Sequence, residues 1–175
     1  IRDLLDMRSG SDYAEDHDEP VSELADMGQI VGWREDSGRQ LPGSLREYLS
    51  LIPRIAVRSG PFCYRSADTE VLAWVLEAAS GKSLERLLGS RLLGPFGAEA
   101  DAELLVDPAG DAVASGGLSL IPRDLARFGE MLLDGGSVGS TQVVPTLFLK
   151  DTRLGQDDSV AAFRARVGER LGPDA

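Results

Sequence analysis

The stretch of sequence that decides the fold begins at Gly60 and reads Gly-Pro-Phe-Cys-Tyr-Arg-Ser-Ala-Asp-Thr-Glu-Val-Leu-Ala-Trp-Val-Leu-Glu-Ala-Ala-Ser-Gly, ending at Gly81. Its first two residues, Gly-Pro, are typical of a turn. Beyond the turn, apolar residues recur at the spacing of one helical face, which predicts an α-helix from about 67 to 80. The residues on that face are Val71, Leu72, Val75, Leu76 and Ala79. Gly81 favours the left-handed conformation that ends many helices.

Shorter elements are predicted on both sides of this helix. The expected helices are 2–8, 44–52, 84–92, 122–133 and a weak helix near 160–171. Two short strands are expected at 102–106 and 111–120, around a turn at 107–110. Residues 9–43 show little periodicity, which predicts a long irregular segment with Trp33 among its apolar anchors.

Composition and charge exclude several classes of partner. The 175 residues include 18 Lys and Arg against 29 Asp and Glu, which gives a net charge of −11. Nucleic acids and anionic membrane surfaces bind clustered basic residues, so neither partner is expected. No apolar run approaches the roughly 20 residues that a membrane-spanning helix needs. The length suits one domain or part of one.

The first residues bear on the compartment only weakly. Ile1 is not a methionine, a helix is already predicted from residue 2, and no signal-peptide pattern is present. These features indicate a piece of a longer chain. Because Cys63 is the only cysteine, no intramolecular disulfide can form, which weakly favours a cytoplasmic location.

Metal, cofactor and thiol chemistry find little support in the sequence. With one cysteine and one histidine, neither a cysteine zinc site nor a multi-histidine centre can form, and no cofactor is expected. Acidic runs at 16–19 and 157–158 lack the ligand spacing of a calcium loop and are interpreted as solvated charge. His17 lies in an acidic loop, so a solvated histidine and a packed Cys63 are favoured over a catalytic pair.

A nucleophile-elbow pattern, Gly-x-Ser-x-Gly, occurs at 135–139. Such an elbow needs a preceding strand, a following helix and a histidine later in the chain. Here a predicted helix precedes the pattern, and the only histidine is His17. The pattern is therefore interpreted as a glycine turn that ends a helix.

A further candidate is Tyr64-Arg65-Ser66, which lies directly ahead of the long helix. Backbone N–H groups and the dipole at a helix N-terminus favour negative charge on nearby groups. A tyrosine held there suits chemistry in which an anion develops, with the Ser66 hydroxyl beside it. Taken alone, Tyr-x-Ser is a weak signal, and packing is the commoner role for such a tyrosine.

Several short motifs, in a fixed order, resemble one protein family. They are Ser-Gly at 9–10 after Leu-Leu-Asp-Met-Arg, Gly-Pro-Phe-Cys-Tyr-Arg-Ser-Ala at 60–67, the helix at 71–83, and Ala-Ser-Gly-Gly-Leu-Ser-Leu-Ile-Pro-Arg-Asp-Leu-Ala-Arg-Phe-Gly at 114–129. The set is similar to the penicillin-recognising, class C β-lactamase-like serine hydrolases. Tyr-x-Ser in place of the commoner Tyr-x-Asn, with Tyr13 and Val-Gly-Trp-Arg at 31–34, resembles the 6-aminohexanoate-dimer hydrolase and carboxylesterase branch.

The resemblance implies an α/β fold of the β-lactamase/transpeptidase type, mainly helical in this piece with a short strand pair. It also implies a serine that attacks an amide or ester carbonyl and forms an acyl-enzyme. Tyr64 would then act as general acid and base, and Ser66 would hold the proton network in position. Tyr13 and Trp33 would line the substrate pocket, with Tyr13 as a hydrogen-bond donor, and Ser115 would lie near the substrate.

One departure from the family pattern concerns the nucleophile. The family uses Ser-x-x-Lys, whereas the residues three before Lys82 and Lys150 are Ala79 and Leu147. The later Lys-Thr-Gly motif, or its histidine-containing equivalent, is also missing from these 175 residues. Residues 1–175 are therefore expected to be the central part of one such domain, mostly its helical subdomain, without the nucleophile-bearing and C-terminal sheet parts.

The expected function is hydrolysis of a small amide or ester, such as 6-aminohexanoate oligomers or short esters, with this piece inactive alone. Apolar helix faces severed from a central sheet are expected to support self-association. Two alternatives stay open: a β-lactamase or penicillin-binding activity, and a non-catalytic helical interaction module. A Ser-x-x-Lys upstream of Ile1 would favour the enzyme, whereas a start codon directly before Ile1 would favour the module.

Overall fold

Helices dominate the part of the chain that the computed structural model describes, which is residues 1–13, 15, 19–55 and 59–171. The helices are α1 (Arg2–Leu5), α2 (Glu23–Ile30), α3 (Leu45–Ser50), α4 (Ser66–Ser80), α5 (Leu84–Leu88), α6 (Gly94–Phe96), α7 (Pro122–Leu133), α8 (Thr146–Leu154) and α9 (Asp157–Leu171). A π-helical segment, Gly89–Leu93, joins α5 to α6. About half of the 175 residues are therefore helical.

The strands are short and form two antiparallel pairs. Strand β1 (Glu103–Leu104) pairs with β2 (Leu118–Ser119), with Glu103 opposite Ser119. Strand β3 (Ser137–Val138) pairs with β4 (Thr141–Gln142). The first pair confirms the predicted strand pair around the 107–110 turn, although each strand is only two residues long.

The long helix α4 confirms the main sequence prediction. It runs from Ser66 to Ser80, and Gly81 follows in the left-handed conformation with φ at +66°. Its fully buried side chains lie in the N-terminal half, whereas Leu76, on the face marked by periodicity, is 53% exposed. Helix α4 therefore buries the end that carries the candidate residues and leaves an apolar stretch open near its C-terminal end.

The hydrophobic core lies where α2, α3 and the start of α4 meet. Its buried residues are Tyr13, Met27, Ile30, Val31, Leu45, Leu49, Ala67 and Val113. Full burial of a large apolar side chain contributes about 1.5–3 kcal/mol to folding. The N-terminus of α4 is therefore packed against this core through Ala67.

Helix α2 corrects the prediction that residues 9–43 form one irregular segment. The Ser22 side chain caps the helix by accepting a hydrogen bond from the backbone N–H of Ala25 at 3.1 Å. Met27 and Ile30, one turn apart, both point into the core. The helix has only eight residues and lies among polar ones, so its periodicity is short and weak.

Two helix ends differ from their predictions for local reasons. Helix α1 ends at Leu5 instead of residue 8, because Met7 adopts a positive φ of 54°. The segment predicted as one helix over 84–92 continues past Gly94 and Pro95, and ends only at Gly97, with φ at +78°. Pro95 is the second residue of α6, which directly follows the π-helical segment.

The remaining helices agree more closely with the sequence. Helix α7 matches the predicted 122–133, and α3 lies within the predicted 44–52, capped by Ser44, whose side chain accepts from the Glu47 N–H at 3.1 Å. Helix α9 begins at 157, three residues before the predicted start. Across the described ranges, every helix is too short or too polar to cross a membrane.

The N-terminal segment is tied to α9 by Arg8. Its buried guanidinium donates to the Gly60 carbonyl at 2.7 Å and to the Asp158 carboxylate at 2.9 Å. The rings of Phe62 and Phe163 pack edge to face beside it, with centroids 5.0 Å apart. Asp158 was predicted to be solvated charge; its side chain is exposed, but it is an ion-pair partner.

Candidate active site

Tyr64 lies on the surface directly ahead of α4. Its side chain is 56% exposed, while the backbone on either side is fixed: the Cys63 N–H donates to the Met7 carbonyl at 2.9 Å, and the Arg65 N–H contacts the Met7 sulfur at 3.4 Å. Arg65 itself is extended and forms the N-cap position of α4. The phenol is thus presented to solvent from a rigid backbone.

The Arg65 side chain hydrogen-bonds to the backbone near Tyr64. Its Nε donates to the Tyr13 carbonyl at 3.2 Å, and Nη1 donates to the Cys63 carbonyl at 3.3 Å. These two bonds use guanidinium N–H donors to satisfy two backbone carbonyl acceptors. The conformation of residues 63–65 therefore depends on a side chain within the candidate motif itself.

Ser66 is held by the carboxylate of Glu15. The Ser66 hydroxyl donates to Glu15 Oε1 and its backbone N–H donates to Glu15 Oε2, both at 2.6 Å. No side chain of the N-cap residue caps α4, so Glu15 provides this cap from a distant part of the chain. The charge-assisted pair fixes both the helix start and the direction of the Ser66 proton.

Glu70 connects Ser66 to the loop that carries Ser115. The Glu70 side chain is fully buried, and its two oxygens accept from the backbone N–H groups of Ala114 at 3.0 Å and Ser115 at 2.9 Å. Ser66 and Glu70 are four residues apart, so they lie on the same face of α4. One helix face thus positions both the Tyr64–Ser66 turn and the Ser115 loop.

Trp33 packs on this loop. The ring is half exposed, and a Cβ added to Gly116 would lie only 2.8 Å from Cη2 of Trp33, so a glycine is needed for this close approach. The Oγ of Ser115 is buried and has no hydrogen-bond partner among the described residues. Trp33 therefore lies against the loop that carries Ser115.

An apolar groove of about 360 Å³ lies beside the Ser115 loop. Its lining includes Leu72 and Leu76 of α4, Leu84 and Leu88 of α5, and Ser115. The apolar face of α4 that periodicity marks therefore forms one wall of a groove beside the candidate residues.

Tyr13 is placed differently from the expectation for a substrate contact. Its side chain is 1% exposed in the core, and its hydroxyl donates to the sulfur of Met27 at 3.3 Å. Burial raises the pKa of this phenol above its usual range. In this conformation the Tyr13 hydroxyl is not offered to a substrate, and Tyr13 supports the site through its carbonyl, which accepts from Arg65.

The other sequence candidates are separate from this cluster. Ser137 of the Gly-x-Ser-x-Gly pattern lies in β3 after helix α7, and its hydroxyl donates to Gln142 at 2.9 Å, which confirms the glycine-turn interpretation. His17, Asp16 and Asp18 lie outside the described residues. Within the described ranges, no group of three or more His, Cys, Asp or Glu side chains could hold a metal ion.

Asp68 is a buried carboxylate that no sequence motif marks as a site residue. It is 1% exposed, its Oδ1 accepts from the Ser9 hydroxyl at 2.6 Å, and its Oδ2 is buried without a partner among the described residues. Burial raises the pKa of Asp68, partly offset by the bonds from Ser9 and by the charge of Arg65. Asp68 therefore holds the Ser9-Gly10 segment against α4 through a hydrogen bond, while its burial disfavours the ionised form of its carboxyl group.

We expect Asp68→Asn to gain stability relative to the wild type as the pH rises from about 3.5 to about 7. A carboxyl group with a raised pKa in the folded protein penalises folding above that pKa and not below the unfolded value. The asparagine cannot ionise, so it escapes this penalty. Urea unfolding at both pH values measures the difference, and a difference that does not change with pH would contradict the assignment.

The comparisons with known proteins agree with one another. The sequence model of the Beta-lactamase family matches residues 1–172. The chain is 38% identical over 144 residues to the 6-aminohexanoate-dimer hydrolase of Paenarthrobacter ureafaciens, which covers 82% of this chain and 36% of that protein. A solved Bacillus anthracis structure, provisionally assigned as a 6-aminohexanoate-dimer hydrolase, superposes with a TM-score of 0.78 at 26% identity, covering 90% of this chain and 42% of that one.

These matches show which fold the chain has and how much of its relatives' length it spans. The structural likeness confirms that the described helices and short strand pair are part of an α/β fold of the β-lactamase type. The chain spans less than half the length of the relatives it matches.

Proposed function

Because the chain belongs to the beta-lactamase family of hydrolases, we propose that the complete protein is a serine hydrolase that cleaves a linear amide or an ester through an acyl-enzyme. The observation that carries this proposal is the exposed Tyr64 phenol, which a hydrogen-bonded backbone presents at the start of α4 beside Ser66. The 38% identity to a 6-aminohexanoate-dimer hydrolase supports a linear amide as the substrate class.

The proposed mechanism uses groups from two parts of the domain. A serine and a lysine of a Ser-x-x-Lys motif, which these 175 residues do not contain, would supply the nucleophile and its base. The lysine would accept the proton of the serine, and Tyr64 would donate its phenolic proton to the leaving group and regain a proton from the lysine. Water would release the acid from the acyl-enzyme in the second step.

Residues 1–175 would form one wall of the site in this proposal. Trp33 and the apolar groove, whose lining includes Ser115, would contact the substrate chain.

We infer that the 175-residue polypeptide alone gives no turnover and tends to self-associate. It contains no Ser-x-x-Lys, and several large apolar side chains are exposed, among them Leu76, Leu125 and Leu133. Hydrolysis of p-nitrophenyl acetate by this polypeptide at a higher rate than by its Tyr64→Phe variant would contradict the inference. Light scattering against protein concentration measures the self-association.

The proposal is tested with the complete gene product. Its activity is measured on a p-nitrophenyl ester, on 6-aminohexanoate dimer and on a chromogenic β-lactam. We expect turnover of the ester and the linear amide to exceed that of the β-lactam. Turnover of the β-lactam alone would favour the β-lactamase alternative, and no turnover of any of the three would favour the non-catalytic module.

A further inference from the structure

The Arg65 side chain closes a hydrogen-bonded ring around the backbone of Tyr64. Its Nη1 donates to the Cys63 carbonyl, two residues back along the chain, at 3.3 Å. Cys63 is itself held, because its N–H donates to the Met7 carbonyl at 2.9 Å. The backbone of Tyr64 lies inside this ring, so the ring restricts the two backbone torsions that set the direction of the Tyr64 side chain.

A second bond from the same guanidinium joins this ring to the hydrophobic core. Arg65 Nε donates to the Tyr13 carbonyl at 3.2 Å. The Tyr13 side chain is buried in the core, where its hydroxyl donates to the Met27 sulfur at 3.3 Å. Because a guanidinium is planar and rigid, two of its N–H donors fix the distance between the two carbonyls that they bind. The backbone at Tyr64 is therefore connected to a fixed point of the core.

From this geometry we propose that Arg65 is a positioning residue that sets the direction from which the Tyr64 phenol meets a leaving group. The inference rests on the proposed function and deepens it, because it assigns a role to the middle residue of the Tyr64–Ser66 motif. Tyr64 is more than half exposed, so few neighbouring side chains fix its ring and its backbone carries most of the constraint. Proton transfer needs the donor and acceptor atoms about 2.6–3.2 Å apart, which makes it sensitive to that constraint.

Two simpler roles for Arg65 make different predictions. If only its positive charge matters, a lysine serves as well, although an ammonium group lacks the planar fork that binds two carbonyls at once. If Arg65 only stabilises the fold, its loss affects every substrate equally. Positioning of Tyr64 instead predicts a loss concentrated in the step in which Tyr64 donates its proton.

The experiment measures kcat and KM of the complete gene product on 6-aminohexanoate dimer and on p-nitrophenyl acetate. The proteins are the wild type, Arg65→Lys, Arg65→Met, Tyr64→Phe and the double variant that combines Arg65→Met with Tyr64→Phe. The matched control is Arg46→Met. It also removes a guanidinium with two side-chain partners, Glu77 at 3.2 Å and Asp111 at 3.1 Å.

We expect Arg65→Met to lower kcat on the amide about 100-fold with KM nearly unchanged, the effect of displacing a reacting group by about 1 Å. The ester should lose less, because p-nitrophenolate leaves without a proton. Arg65→Lys should lose at least about tenfold in kcat on the amide. In the Tyr64→Phe background, Arg65→Met should have no further effect, because Arg65 acts through Tyr64. Arg46→Met should keep the wild-type kcat on both substrates.

A second measurement observes Tyr64 without turnover. The protein is produced with fluorotyrosine, and the fluorine NMR signal that is absent from Tyr64→Phe is assigned to Tyr64. We expect Arg65→Met and Arg65→Lys both to shift this signal, since both break the ring around the Tyr64 backbone. A shift in Arg65→Lys cannot come from a lost charge. Arg46→Met should leave the signal in place.

Two kinetic results would overturn the inference. One is a wild-type kcat on the amide for either Arg65→Met or Arg65→Lys. The other is an equal loss on amide and ester that persists in the Tyr64→Phe background, which would leave Arg65 with a structural role only. If the complete protein hydrolyses neither substrate, the proposed function fails and the fluorine signal decides the inference. A shifted Tyr64 signal would then support the positioning, and an unmoved one would overturn it.

Discussion

Replacing Tyr64 by phenylalanine should lower the kcat of the complete protein on a linear amide by about 100- to 10,000-fold, the range for loss of a general acid–base group. The substitution removes one oxygen from a side chain that is 56% exposed, so the fold should not change. An amine must be protonated as it leaves, whereas p-nitrophenolate need not be. The loss in kcat should therefore be larger for the amide than for the ester, with KM nearly unchanged.

A matched control for this variant is Tyr48→Phe. The Tyr48 hydroxyl donates to Asp26 at 3.1 Å between α3 and α2, so the same chemical change there removes a structural hydrogen bond. We expect Tyr48→Phe to lose about 1 kcal/mol of stability and to keep its kcat. A Tyr64→Phe variant with wild-type kcat on both substrates would remove Tyr64 from the catalytic role.

The sequence predicts α4 and α7 well because their signals are local. Apolar spacing, Gly81 after α4 and Pro122 at the start of α7 all act within a few residues of the helix they define. Helix α2 carries only eight residues of periodicity, and it is stabilised by contacts with α3 and the start of α4. A short helix that depends on distant packing leaves little trace in its own sequence.

The same distinction applies to the candidate site. Tyr64 and Ser66 are found from a short motif and its family resemblance, whereas Glu15, Asp68 and Glu70 are not. The partners of these three carboxylates lie 44 to 59 residues away along the chain. For Asp68 and Glu70 one signal exists, since both are acidic residues in the first turns of a helix whose middle is largely apolar. Glu15 lies in an acidic stretch that gives no such contrast.

The carboxylate with the largest structural effect should be Glu70. We expect Glu70→Ala to lower the free energy of unfolding by about 3 kcal/mol, measured by urea denaturation. Two charge-assisted bonds, each contributing about 1.5–3 kcal/mol, are lost, and the N–H groups of Ala114 and Ser115 lose their acceptor. Release of a buried charge offsets part of this loss.

A second variant, Glu70→Gln, separates these contributions from the volume of the side chain. Glutamine has nearly the same shape but one acceptor oxygen, so one of the two backbone N–H groups faces an amide NH2 group instead of an oxygen. The loss of unfolding free energy should therefore be smaller than for Glu70→Ala and lie between about 1 and about 2 kcal/mol. If both variants unfold within about 0.5 kcal/mol of the wild type, as ordinary surface substitutions do, Glu70 does not hold the Ser115 loop. In that case α4 would not be the element that joins the two halves of the candidate site.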